Sequence, residues 1–167
     1  MRGKRPLIGL AALLGLLALS LVLNRPMARV QVRLPDHGDR IAGSIMADLD
    51  EQVCMRYIHS VERTPVQGWF ALAERGGFRA VKTKTTGTGT GLPNVVPDDR
   101  VTTQGQWLVI DEGGSYLPDI PFYYLPLNEL RIEVGGRRID LETVPPGSRL
   151  RITSRVRPLW GWLAASM

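Results

Sequence analysis

The sequence predicts an all-β protein, a single β-sandwich or barrel-like domain preceded by one N-terminal apolar helix. Three observations carry this expectation. After residue 28 the apolar residues come in short runs that alternate with polar ones, the period of a half-buried strand and not of a helix. Turn signals break those runs at the regular spacing of a sandwich or barrel: Asp36-His37-Gly38, Gly76-Gly77, Gly113-Gly114, Gly135-Gly136 and Pro145-Pro146-Gly147. Ahead of them stands Leu7 to Leu23, seventeen residues without a charge.

That first segment follows Arg2, Lys4 and Arg5 and has the composition of a targeting or membrane element. Two readings compete. Ala18-Leu19-Ser20 is a passable small-x-small cleavage site, which would leave a periplasmic protein cut near Ser20. The apolar run continues past Ser20 to Leu23, which favours an uncleaved signal anchor through residues 7–23. The basic end would then lie inside, and the rest on the extracytoplasmic face of the cytoplasmic membrane. No Cys follows the run, so a lipoprotein is excluded. The expected organisation is a signal anchor or signal peptide over 1–28, a β domain over 29–157 and an apolar Trp-containing tail over 158–167.

Strands are expected at 28–34, 40–47, 52–59, 66–74, 78–84, 106–110, 129–134, 137–141 and 149–156. Gly135-Gly136 between two of them marks a tight hairpin, since both glycines accept the positive φ of a primed turn. The stretch LPDIPFYYLPLN at 117–128 holds three prolines and is expected to pack over the sheet as an irregular apolar flap, unable to complete a ladder. In the tail, Arg155, Arg157, Trp160 and Trp162 suit either a lipid headgroup interface or the closing of a sandwich edge.

Composition narrows the function. The net charge is +5, but Arg2, Lys4, Arg5 and Arg25 precede residue 29 unaccompanied by any acid, leaving 17 basic residues against 16 acids. A nearly balanced domain is a poor nucleic-acid binder. The single cysteine, Cys54, cannot form an internal disulfide and reads as a small buried side chain. Two histidines 22 residues apart, His37 and His59, give no metal-ligand spacing, and neither a metal nor a cofactor is expected.

Two stretches carry more polar chemistry than connectors need. The first is YIHSVERTP, 57–65, with Tyr57, His59, Ser60, Glu62, Arg63 and Thr64. Along an extended strand Val53, Met55, Tyr57 and His59 share one face, so His59 points away from Ser60 and cannot serve it as a base unless the chain turns sharply. No G-x-S-x-G elbow occurs either, so an enzyme is not expected. The second is KTKTTGTGTGLPN, 82–94, where Gly87, Gly89, Gly91 and Pro93 could let backbone N–H groups gather around an anion. It is neither a Walker loop nor a dinucleotide fingerprint. The plainer reading of both is a self-bonded hairpin loop and a bulged crossover.

Together, Y-x-H-S-V-E-x-T-P-V at 57–66 and G-x-G-L-P at 89–93 resemble the Domain of Unknown Function family number eighteen-fifty. The resemblance extends in outline over residues 29–155. It implies a short exported protein with one N-terminal apolar segment, often encoded beside TRAP transporters with TAXI-class solute-binding proteins. The partners it implies are therefore the transporter's membrane subunit or its solute-binding protein. The chain departs from the family pattern at Gln67-Gly68, where an acid is usual, at Asn128-Glu129, where Asn-His is usual, and in lacking an aromatic before Gly89. A transporter accessory module and a small-anion or carboxylate-binding domain are the leading expectations.

Overall fold

The computed structural model describes residues 5–87 and 100–165. In chain order these form helix α1 (Arg5–Leu23), β1 (Pro26–Leu34), β2 (Arg40–Asp48), β3 (Gln52–Ile58), β4 (Pro65–Leu72), β5 (Phe78–Thr85), β6 (Arg100–Gln104), β7 (Trp107–Asp111), β8 (Tyr116–Leu117) and β9 (Asp119–Tyr123). There follow β10 (Arg131–Val134), β11 (Arg137–Arg138), β12 (Arg149–Pro158) and helix α2 (Leu159–Ala164). The chain packs as two units, Ala28–Val156 and a second that joins the chain up to Met27 with the chain from Arg157 onward.

The larger unit is a β-sandwich. One sheet has the order β2-β1-β12-β9, the other β11-β10-β3-β4-β5-β7-β6, with β8 pairing β5. The sheets remain separate, so the barrel alternative is set aside. Alternation builds the smaller sheet: Ala28, Val30, Val32 and Leu34 on β1 and Leu150 and Ile152 on β12 are all buried, as is Gln31, while Arg149, Arg151 and Arg155 are exposed. Val53, Met55, Leu72, Phe78, Ile132 and Val134 of the larger sheet meet them in one apolar cluster. Burying a Val, Leu, Ile or Phe side chain contributes about 1.5–3 kcal/mol, so this shared face holds the sheets together.

The sequence expectations need three corrections. Residues 117–128 are not wholly irregular: Asp119–Tyr123 is strand β9, paired antiparallel with β12 from Arg149↔Tyr123 to Thr153↔Asp119. Pro121 is tolerated because β9 is an edge strand, where a missing N–H costs no ladder bond on the open side. Strand β6 had no apolar signal, since all five of its residues are exposed. The expected strand 137–141 shortens to Arg137–Arg138, after which Ile139 and Leu141 enter the core from an irregular backbone. The Gly135-Gly136 hairpin is as expected, with φ of 53° and 77°.

In the smaller unit, α1 presents residues 9–22 to solvent on every side. Among the described residues no helix is long and apolar enough to cross a membrane. The tail forms α2, where Trp162 is buried and its Nε1 donates to Met27 O at 3.0 Å, while Trp160 is exposed. The two tryptophans therefore have different roles. Leu159 N adds a bond to Arg25 O at 3.0 Å, and the Arg157 guanidinium lies 5.2 Å from the Trp162 ring.

Candidate functional site

The polar loop 59–64 joins β3 to β4, which pair antiparallel up to Ile58↔Pro65. The ladder stops there for a local reason. His59 N donates to Thr64 O at 2.8 Å and Arg63 N to His59 O at 2.9 Å, which folds the intervening residues into a tight turn. That turn needs Arg63 at φ 55°, in the left-handed region that is unfavourable for a side chain bearing a Cβ. The imidazole serves the turn as well: Glu62 N donates to His59 Nδ1 at 3.2 Å, so Nδ1 is the acceptor and Nε2 carries the proton in the neutral ring.

The sharp turn that a Ser60–His59 pair would require is thus present, yet no hydrogen bond joins the two among the described residues. Ser60, Val61, Glu62 and Arg63 are exposed. Tyr57 is not part of this surface. It packs against the core and meets the Phe122 ring edge-on, with centroids 5.0 Å apart and planes at 73°. Burial pushes its phenol above the ordinary value, and the charge of Glu112 adds to the shift.

The second stretch returns to the same end of the sheet because β4 and β5 pair antiparallel, with Val66 opposite Thr85. Gly87 lies against Thr64: a Cβ added at Gly87 would come within 3.1 Å of Thr64 Cγ2. The Thr85 hydroxyl is spent locally, donating to Gly87 O at 3.1 Å and lying 3.3 Å from Gly87 N. Gly89, Gly91 and Pro93 lie outside the described residues.

Asn128, singled out in the sequence only as part of the Asn128-Glu129 departure from the family pattern, fixes the base of this end. Its Nδ2 donates to Ile58 O at 3.0 Å and its Oδ1 accepts from Leu125 N at 3.0 Å, so a buried amide ties the turn at Pro126–Asn128 to the last residue of β3. A lone amide within a proline-rich apolar run marked the position, but nothing local pointed to Ile58 as its partner. Glu129, the other half of the departure from Asn-His, is exposed and takes φ 48° as the chain leaves that turn.

The arrangement gathers exposed donors and acceptors at one end of the larger sheet. Among the described residues no group of His, Cys, Asp or Glu could hold a metal ion. Open grooves of about 500 and 540 Å³ lie elsewhere, one along Pro35, Phe122 and Arg149, the other along Ala73, Arg75 and Tyr116. Cys54 is free and buried, and burial raises its thiol above the ordinary value.

The fold and these loops define a small β-sandwich protein with one polar end on its larger sheet. The model of the family described as Domain of unknown function (DUF1850) matches residues 53–141, and the chain belongs to that family. The match is narrower than 29–155 but spans both polar stretches. No curated protein and no solved structure matches the chain.

Proposed function

We propose that this protein is a membrane-tethered, extracytoplasmic accessory module of a TRAP transporter with a TAXI-class solute-binding protein, acting by contact and not by catalysis. The observation that carries the tether is α1. Leu10, Leu13, Leu14, Leu16, Leu17, Leu19, Leu21 and Val22 are all exposed. Leaving each in water forgoes about 1.5–3 kcal/mol, which an apolar phase would supply. Seventeen helical residues reach only about 26 Å against a hydrocarbon core of about 30 Å, so insertion calls for local thinning of the bilayer. The transporter assignment draws on the gene neighbourhood that the sequence resemblance implies.

Fractionation tests the tether. The full chain should stay with membranes through a high-salt wash and leave only with detergent, and should then copurify with the transporter's membrane subunit or solute-binding protein. Recovery of most of the protein as a soluble form starting near Leu21 would overturn it.

A second reading, capture of a small carboxylate or other anion by loop 59–64 and the Gly87 stretch, is supported by the contact of Thr64 with Gly87. Under it, His59→Ala and Glu62→Ala abolish complementation of transport while melting shifts by only a few degrees, and the distant control Asp36→Ala does neither. An organic acid at a hundredfold excess over its Kd should add about 2.7 kcal/mol of stability. If loss of transport merely tracks loss of stability, the loop is a turn with a structural histidine. Hydrolase chemistry, the third reading, gains no supporting contact.

A further inference from the structure

The near-neutral charge of the β domain conceals an uneven distribution. On the larger sheet, Val53, Met55 and Ile132 point into the core, so the residues between them point outward. The registers Arg131↔Arg56, Arg56↔Gln67 and Gln67↔Lys84 set one row across that outer face, and Cys54↔Trp69, Trp69↔Lys82 and Lys82↔Asp111 set the next. Arg100 lies opposite Asp111 on β6. Among the described residues the cations Arg56, Lys82, Lys84, Arg100 and Arg131, with Arg79 and Arg138 beside them, thus share a face with two acids, Glu133 and Asp111. Arg56 is paired with Glu133 at 3.4 Å, and on the smaller sheet Arg33, Arg149 and Arg151 are paired with Asp39, Asp36 and Asp119.

Trp69 sits in the middle of this basic face. Lys82 Nζ lies 4.5 Å and Lys84 Nζ 6.0 Å from its ring, so the indole holds two ammonium groups beside one another. Among the described residues neither lysine has a salt bridge, and Lys84 donates to the Gln104 amide oxygen at 3.4 Å. We propose that the outer face of the larger sheet is a docking surface for the acidic face of a partner protein, centred on Trp69 and its two lysines.

Three features favour the acidic face of a protein over a nucleic acid. Tryptophan at the centre of a patch ringed by polar groups is the usual composition of a binding hot spot. Gln67, Thr102 and Gln104 offer acceptors as well as donors, and Glu133 and Asp111 can receive the cations that a mixed protein surface carries and a phosphate backbone lacks. The size also fits: seven strands about 4.8 Å apart, the longer ones about 25 Å in length, give on the order of 600 Å², near one partner's share of a standard interface. The inference goes beyond the membrane reading and holds whether or not α1 is an anchor.

The test uses the full chain in neutral detergent with poly-L-glutamate as the acidic probe and duplex DNA as the phosphate polyanion. Poly-L-glutamate should bind at low salt. Lys82→Glu with Lys84→Glu should weaken binding at least tenfold and Trp69→Ala several-fold, while Arg155→Glu on the smaller sheet leaves it unchanged. Lys82→Gln with Lys84→Gln, which avoids new repulsion within the sheet, should show the same direction of loss at an unchanged melting temperature. Absence of poly-L-glutamate binding, an equal loss in Arg155→Glu, or DNA binding as tight as poly-L-glutamate would each overturn the proposal.

Discussion

The larger sheet has two turns at opposite ends of β4, and they are built on different principles. The turn from β4 to β5 is sealed. Gly76 and Gly77 are buried at φ 87° and 76°, Gly77 N donates to Ser154 O of the other sheet at 3.1 Å, and a Cβ at Gly77 would meet Leu117 O at 2.6 Å. The turn from β3 to β4 is open, held by its own backbone and one imidazole, with Arg63 in a conformation that glycine takes at the other end. One end fastens the two sheets together. The other leaves exposed polar groups uncommitted, which is where a binding role can be accommodated without weakening the sandwich.

The largest effect should come from breaking the sealed end. Gly77→Ala combines a left-handed φ with a collision against the Leu117 carbonyl and is expected to cost about 2–5 kcal/mol, measured by urea unfolding. A cost below 1 kcal/mol would mean the two ends are equally tolerant and would dissolve the contrast.

Asn128→Ala should come next, at about 1–3 kcal/mol, because it leaves Ile58 O and Leu125 N without partners at the base of the open turn. Hydrogen exchange should then rise at His59 and Arg63 before it rises at Gly77, and simultaneous opening of both ends would refute their independence.

Within the open turn the effects should be smaller and of opposite sign. Arg63→Gly relieves the left-handed strain and should stabilise by up to about 1 kcal/mol, whereas His59→Ala frees Glu62 N to water and should cost about 0.5–1.5 kcal/mol. Thermal melts of the two variants side by side decide the signs.

The weakest perturbation is acid. Hydrogen bonds from Arg149 hold the Asp36 carboxyl below the ordinary carboxylate range, and those from Arg33 do the same for Asp39. A carboxylate with a lowered pKa in the folded state contributes stability above the unfolded value of about 3.9, and that contribution is lost as pH falls through the folded value. Melting temperature should therefore hold from pH 7 to 5 and decline below about 4. Both pairs lie at the surface, so the decline is slight, and since neither carboxylate touches either turn it should be the same in Arg63→Gly as in the unaltered chain.

Legibility in the sequence followed the range of the interactions. Strands β1 and β12 were plain because alternation alone orients Ala28 to Leu34 and Leu150 to Ile152. Strand β9 was hidden because Pro121 reads as a breaker until the edge position excuses it, and β6 because a strand with no buried side chain has no apolar period. The nearness of Thr64 to Gly87 follows from antiparallel β4 and β5, which return the chain to the same end of the sheet. Asn128 could not be foreseen as the support of β3, since Ile58 lies 70 residues away. The charge count of the domain was correct, but only strand register shows which face the cations share.

Pro121 has one further consequence. An edge strand with free N–H and C=O groups is a template on which a second copy can add its own strand, and a chain held at high local density would be exposed to that risk. Pro121 interrupts the open rim of β9 by denying an added strand one ladder donor. The residue that concealed the strand from sequence reading thereby makes this rim a poorer template for strand addition.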